Sequence, residues 1–354
     1  MTRVLIVDDS AMMRHLLTAI LDADPAIEVI GTAGDPYEAR ALIKELNPDV
    51  ITLDLEMPNM NGIDFLHKIM QLRPMPVVVI SSHVEQSAAV AREVMEAGAY
   101  ACLPKPKLDD ESSLLAMRRV VRQAELVLPG RGAADGALAP RTESRRMPET
   151  QPLRTSAGQP DMIAIGASTG GIEAISEILS TFSANCPPTV IVQHLPAGFS
   201  RNLAERLNRL VQPTVKEAAD GEALAPGTVY IAPGGERHLV VAGASPKCKL
   251  LAGDAVTGHR PSIDVLFGSL AQMKGISVSA ALLTGMGADG ARGLLQILRN
   301  GGRTISQDEA TSLIYGMPRA AAELGAASEI LPINRIADAL LATRKNTENE
   351  GMGQ

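Results

Sequence analysis

"PGRGAADGALAPRTESRRMPETQPLRTSAGQP", residues 129–160, divides the sequence in two. Pro, Gly, Ser, Thr, Arg and Ala dominate the stretch and no apolar period survives in it, so burial cannot offset the entropy of ordering it. Residues 126–160 are therefore read as a flexible linker. A coil of about 30 residues spans roughly 30 Å and holds its neighbours at about millimolar effective concentration. The expected domains are 1–125 and 161–345, with 346–354 a disordered tail. A length of 354 residues, about twice that of a usual domain, agrees with two separate cores.

On both sides of the linker, short apolar runs alternate with helix-like text. Upstream the strand candidates are "VLIV" (4–7), "EVIGTA" (28–33), "DVITL" (49–53), "PVVVIS" (76–81) and "AYACL" (99–103). Downstream they are "MIAIG" (162–166), "TVIVQ" (189–193), "TVYIA" (228–232), "HLVVA" (238–242), "VSAALLT" (278–284) and "RTIS" (303–306). Nearly continuous apolar strands between amphipathic helices predict mainly parallel sheets covered on both faces, so both halves are read as α/β.

Composition narrows the function. Apolar residues make up 45% and charged residues 21%, as in an ordinary globular protein, but aromatics are only 2% and Trp is absent. The cores must be aliphatic, and a base-stacking surface for single-stranded nucleic acid is not expected. A net charge of −7 also argues against nucleic acid as a partner. Cys102, Cys186 and Cys248 form no CxxC pair, which suggests a reducing compartment without disulfides or structural zinc. The opening "MTRVLIVDDS" is no signal peptide and no run approaches about 18 apolar residues. The expectation is a cytoplasmic protein with no direct membrane insertion.

In an open parallel sheet, ligands sit beyond the carboxyl ends of the strands. Strand one ends in Asp8 and Asp9, strand three in Asp54 and strand four in Ser81, and strand five runs into "LPKP" with Lys105. Carboxylates converging on one edge need a cation, and such oxygen donors suit Mg²⁺. With Lys105 and Ser81 beside them, they could support phosphoryl transfer to a carboxylate. A lone Asp after a strand is more often a cap, and "DDS" alone could merely cap the next helix. On "VDDS", "DLEMPNMNG", "ISS" and "LPKP", residues 1–125 resemble a response-regulator receiver domain, a flavodoxin-like fold with a parallel five-stranded sheet. The resemblance implies Asp54 as phosphoacceptor, Asp8 and Asp9 as further Mg²⁺ ligands, Ser81 as switch hydroxyl and Lys105 as the phosphate-binding lysine. Where many receivers carry an aromatic switch residue, this chain has Cys102.

Downstream, "AIGASTGG" (164–171) contains G-x-S-x-G between a strand and the helix-like "IEAISEIL". Such a turn can raise Ser168 at the top of a sheet with the next backbone N–H free for an oxyanion, although the pattern also occurs in plain tight turns. No lysine follows the glycines, so it is not a phosphate loop. His194 closes "TVIVQ" on the same edge and could take the hydroxyl proton. His238 opens its strand, at the wrong edge, and His259 lies in a loop where it could touch substrate. Asp289 in "TGMGADGARGL" follows another strand and supplies an orienting acid. The same stretch reads G-x-G-x-x-G over residues 285–290, with Asp308 about 20 residues on, which leaves a dinucleotide site as a rival.

On "AIGASTGG", "VIVQHLPAGF", "VYIAPGGERHL", "GHRPSIDVLF", "LLTGMGADGA" and "YGMPRAAAELGA", residues 161–342 resemble the catalytic domain of the chemotaxis protein-glutamate methylesterases. Together with the receiver and linker, the resemblance covers almost the whole chain. It implies a doubly wound, mainly parallel α/β domain carrying a triad of Ser168, His194 and Asp289, with backbone N–H groups of Thr169 and Met286 as oxyanion donors and no cofactor for the esterase. Ala288 stands where relatives often have Asn. Further implied are demethylation of glutamate methyl esters and deamidation of glutamines on methyl-accepting chemotaxis receptors. A chemotaxis histidine kinase would donate phosphate, and the unphosphorylated receiver would dock on the esterase. A receiver with a DNA-binding output is the remaining rival, opposed by the acidic balance.

Overall fold

A computed structural model describes residues 1–57, 60–82, 88–106, 110–128 and 159–342. Residues 129–158 of the expected linker and the whole expected tail lie outside the described residues.

In the N-terminal unit, β1 (Thr2–Val7), α1 (Ala11–Asp22), β2 (Ile27–Ala33), α2 (Pro36–Leu46), β3 (Val50–Leu53), α3 (Gly62–Leu72), β4 (Val77–Ser81), α4 (Ala88–Glu96), β5 (Ala101–Pro104) and α5 (Glu111–Glu125) alternate. The strands form one parallel sheet in the order β2-β1-β3-β4-β5. Every residue of β3 and β4 is buried, because helices cover both faces and leave no solvent side to alternate with. The helices start where short polar side chains take up the first N–H groups. Ser10 accepts from Met13, Asp35 accepts from Tyr37 and Glu38 ahead of Pro36, and Asn61 accepts from Ile63. The chain steps from β1 out to β2 and then back to β3 on the other side, which opens a crevice at the carboxyl ends of β1 and β3.

The C-terminal unit continues with β6 (Met162–Ala167), α6 (Gly171–Ser180), β7 (Thr189–Gln193), α7 (Phe199–Leu210), β8 (Thr214–Glu217), β9 (Thr228–Ile231), β10 (Arg237–Ala242) and β11 (Lys247–Ala252). It ends with α8 (Ile263–Ala271), β12 (Val278–Leu282), α9 (Ala291–Arg299), β13 (Arg303–Gln307), α10 (Met317–Glu323), β14 (Glu329–Leu331) and α11 (Ile333–Leu341). Seven strands make a parallel sheet, ordered β14-β13-β12-β6-β7-β9-β8. The order reverses at β6, whose neighbours β12 and β7 are likewise fully buried. The core is aliphatic as expected, with Phe182, Phe199, Tyr230 and Phe267 as its large aromatic exceptions.

"HLVVA" does not join the parallel sheet. It forms β10, which pairs antiparallel with β11 as a separate hairpin. Its Leu239 and Val241 pack into one cluster with Leu266, Phe267 and Leu270 of α8. A buried apolar run reads alike in either setting, so only packing decides its partner. Strands β8, β11 and β14 leave no apolar run in the sequence, because they are short or carry exposed polar residues.

Ile6 of β1 is fully buried, whereas Leu72 at the end of α3 is 75% exposed. Ile6→Ala should cost the receiver unit about 2–5 kcal/mol in a urea titration. Leu72→Ala should stay within about 0.5 kcal/mol.

Candidate active site

At the crevice of the N-terminal sheet, Asp8 and Asp9 follow β1 and Asp54 follows β3, with one ligand oxygen from each lying within 4.8 Å of the others. Asp8 and Asp54 are buried and Asp9 is exposed. Lys105, just beyond β5, reaches across to Asp54 Oδ2 at 2.7 Å and Asp8 Oδ2 at 3.6 Å. Ser81 is the last residue of β4 and is fully buried. Burial, then repulsion from Asp54, raises the Asp8 carboxyl above the ordinary carboxylate range, although the Ser10 N–H and Lys105 pull it down. Burial draws the Lys105 ammonium down, but its bond to Asp54 and the charges of Asp54 and Asp8 carry it above its usual value. One lysine therefore leaves excess negative charge among oxygen donors, a setting that fits a hard divalent cation.

Cys102 of β5 is buried, and burial pushes its thiol up to about 12, so it is a neutral core residue with no ring to swing.

In the C-terminal sheet, Ala167 of β6 is registered on Gln193 of β7, and Ser168 and His194 are the residues that follow each. On the other side of β6, Gly166 is registered on Leu282 of β12, and Asp289 lies in the loop between β12 and α9. The candidate nucleophile, base and acid thus follow three adjacent strands, with the serine in the middle. Ser168, His194 and Asp289 are all buried. The turn after Ser168 passes through Gly170 in the left-handed region (φ +81°), where an added Cβ would stand 2.7 Å from Leu313 Cβ.

Two pinned carbonyls orient the candidate oxyanion donors. Ser168 C=O accepts from Gly171 N–H and from Gln193 Nε2, each at 2.8 Å. In a planar trans peptide the following N–H points the opposite way, so these bonds aim the N–H of Thr169. Gly285 C=O likewise accepts from Gly316 N–H at 3.1 Å and Met317 N–H at 2.8 Å, which aims the N–H of Met286. Gly285 must lack a side chain, since a Cβ would meet Ser168 Cβ and Met317 Sδ at 2.6 Å. A glutamine at a strand end carries no motif, so nothing in the sequence marks Gln193.

Asp289 is seated at the amino end of α8. Its Oδ1 accepts from Ser262 Oγ at 2.8 Å and Asp264 N–H at 3.1 Å, and its Oδ2 accepts from Ile263 N–H at 2.8 Å. Burial and then the Asp289 charge raise the neighbouring Asp264 carboxyl, which the Gly293 N–H only partly offsets.

His238 does not sit at an edge of the parallel sheet, because its strand belongs to the hairpin. His259 is half-buried in a tight loop, exchanging backbone bonds with Val256. The dinucleotide reading is disfavoured: Gly285 packs on Ser168, and Asp308 Oδ1 accepts from Thr311 N–H and Oγ1 within its own turn.

Acids crowded beside a lysine on a 2-1-3-4-5 sheet, joined in one chain to a sheet bearing a strand-end serine turn, define a response regulator with an α/β output domain. Family profiles agree, with a response regulator receiver domain at residues 4–117 and CheB methylesterase at residues 163–340. The protein-glutamate methylesterase/protein-glutamine glutaminase of Agrobacterium fabrum is 48% identical over 342 residues, covering 96% of each chain. A Caulobacter vibrioides protein, protein-glutamate methylesterase/protein-glutamine glutaminase 1, is 49% identical over 342 residues, covering 96% of this chain and 97% of its own. The crystal structure of the Thermotoga maritima CheB methylesterase catalytic domain is 37% identical, covering 52% of this chain and 98% of that one with a TM-score of 0.49. The chain belongs to the CheB methylesterase family.

A raised folded-state pKa means that Asp8 favours the fold when protonated, and this contribution is lost as pH rises through the folded value. In chelator at neutral pH, Asp8→Asn should therefore melt at a higher temperature than the wild type. The gain should vanish below the ordinary carboxylate range, as followed by circular dichroism across a pH series.

Proposed function

We propose that this chain is a phosphorylation-activated protein-glutamate methylesterase and protein-glutamine glutaminase that acts on chemotaxis receptors in the cytoplasm. Ser168 Oγ attacks the acyl carbon of a glutamate γ-methyl ester while His194 takes its proton, and Asp289 orients the imidazole. The N–H groups of Thr169 and Met286 donate to the oxyanion. Collapse expels the methoxy group, which leaves as methanol with the proton from His194. A water then gives one proton to His194 and attacks the acyl-enzyme, and collapse returns that proton to Ser168 and releases the glutamate side chain as its carboxylic acid, which ionises to solvent. With a glutamine substrate the same attack expels ammonia. The observation that best supports this reading is the pinning of the Ser168 and Gly285 carbonyls, which turns both following N–H groups away from their anchors.

In the receiver, assigned to residues 1–125, Asp8, Asp9 and Asp54 would hold Mg²⁺, which supplies charge neutralisation to phosphoryl oxygens. Asp54 accepts the phosphoryl group from a histidine kinase, Lys105 pairs with its oxygens and Ser81 donates a hydrogen bond. The unphosphorylated receiver restrains the esterase domain, assigned to residues 161–345, through a tether at 126–160. The tether lets a weak contact suffice, so phosphorylation need shift the balance by only a few kcal/mol.

Ser168→Ala should abolish methanol release from methylated receptor membranes, and full retention would refute the nucleophile. Asp54→Asn should keep the basal rate and lose stimulation by a small phosphodonor such as acetyl phosphate. A mutant stimulated as strongly as the wild type would sink the phosphorylation switch.

A further inference from the structure

His238 is a buried histidine that the triad does not use. Both of its ring nitrogens are engaged. Ser262 N–H donates to Nδ1 at 3.1 Å, and Nε2 lies 2.9 Å from the carbonyl oxygen of Asp254. A carbonyl only accepts and an amide N–H only donates, so the ring is neutral, with its proton on Nε2. Ser262 is in turn the N-cap of α8, and its hydroxyl donates to Asp289 Oδ1. The next two residues, Ile263 and Asp264, donate their N–H groups to the same carboxylate. Three consecutive residues thus form the seat of Asp289, and the first of them is tied by its backbone to an imidazole on the separate β10–β11 hairpin.

The approach to α8 makes that tie consequential. Residues 253–257 are exposed, and Arg260, also exposed, donates to the carbonyls of Gly235 and Gly253. A solvent-facing loop carries little packing to fix where a helix begins. The hairpin is anchored to α8 through Leu239 and Val241, so its imidazole supplies a fixed reference point for the first residue of the seat.

We infer that His238 is a positioning residue for the hydrolytic reaction, holding Asp289 in place through Ser262. The inference rests on the reading of Asp289 as the acid that orients His194. The ring nitrogens of His238 bond to backbone groups of Ser262 and Asp254, so its effect on the reaction is routed through the seat of Asp289. Its loss should lower the rate of chemistry and leave substrate binding alone, because a carboxylate displaced by about 1 Å can cost about 100-fold in rate.

The test is steady-state methanol release from methylated receptor membranes by the full-length protein. His238→Ala should lower kcat about 100-fold at unchanged KM. His238→Asn, whose side-chain oxygen can accept from Ser262 N–H where Nδ1 did, should recover about tenfold over the alanine variant. Ser262→Ala, which removes the hydroxyl that donates to Asp289 and caps α8 by accepting from Val265 N–H, should lower kcat about tenfold. A folded His238→Ala with wild-type kcat overturns the inference, and so do alanine and asparagine variants that are equally impaired, since bulk and not a ring nitrogen would then matter. If circular dichroism shows that His238→Ala does not fold, His238→Phe decides, since it keeps the ring's bulk without a nitrogen to accept from Ser262 N–H, and a wild-type kcat there overturns the inference. Asp289→Asn separates the two levels. Full activity in that variant would sink the triad, whereas an inactive Asp289→Asn beside an active His238→Ala would sink only the role of His238.

Discussion

Asp289 is almost wholly buried, and a buried carboxylate is tolerated only where donors replace the water it has lost. Here the replacement is one hydroxyl and two backbone N–H groups at the start of α8, where the helix dipole also favours negative charge. The acid comes from the loop after β12, and the donors come from residues 262–264 on a different element. The contact therefore forms only once α8 and the β12–α9 loop have packed together, which makes the site a consequence of the finished domain. The neighbouring Asp264 carboxyl is pushed up by burial and by Asp289, which favours one charge in this seat over two.

The receiver crevice shows the opposite balance. Asp8 and Asp54 are as buried as Asp289, but among the described residues the cation that pairs with their carboxylates is Lys105, and Asp9 adds a third acid beside them. The negative charge left over is strain in the resting protein and attraction for anything cationic that arrives. Both sites nonetheless use one architectural feature. Parallel strands end side by side, about 4.8 Å apart, so side chains distant in sequence emerge together where the strand order reverses.

Within the aliphatic C-terminal core, a few buried polar side chains set the geometry of the loops above the sheet. Gln193 holds the Ser168 carbonyl, Thr284 Oγ1 donates to the Thr169 carbonyl at 3.0 Å, and Gln307 Oε1 accepts from Thr284 N–H at 2.8 Å. Each satisfies a backbone group that would otherwise be costly to bury, and together they leave the serine turn few alternative conformations. The left-handed Gly170 and the bare Cα of Gly285 complete that restriction from the backbone side.

Much of this was readable in the linear text. The alternation of apolar strands with amphipathic helices specified two α/β halves, because strand burial on both faces is written directly into residue type. Asp8, Asp54, Lys105, Ser168 and His194 stand out as candidates because residues at strand ends occupy predictable places relative to the runs before them. The hairpin, the seat of Asp289, and the parts of Gln193 and His238 could not be read this way. Those depend on which surfaces meet across the fold, and a hydrogen bond between residues 262 and 289 leaves no period or motif behind. Sequence determined the buried strands and the residues at their ends; tertiary packing decided the marginal strands, the hairpin's partner and which side chains hold the loops in place, since direction and distance exist only after the elements have docked.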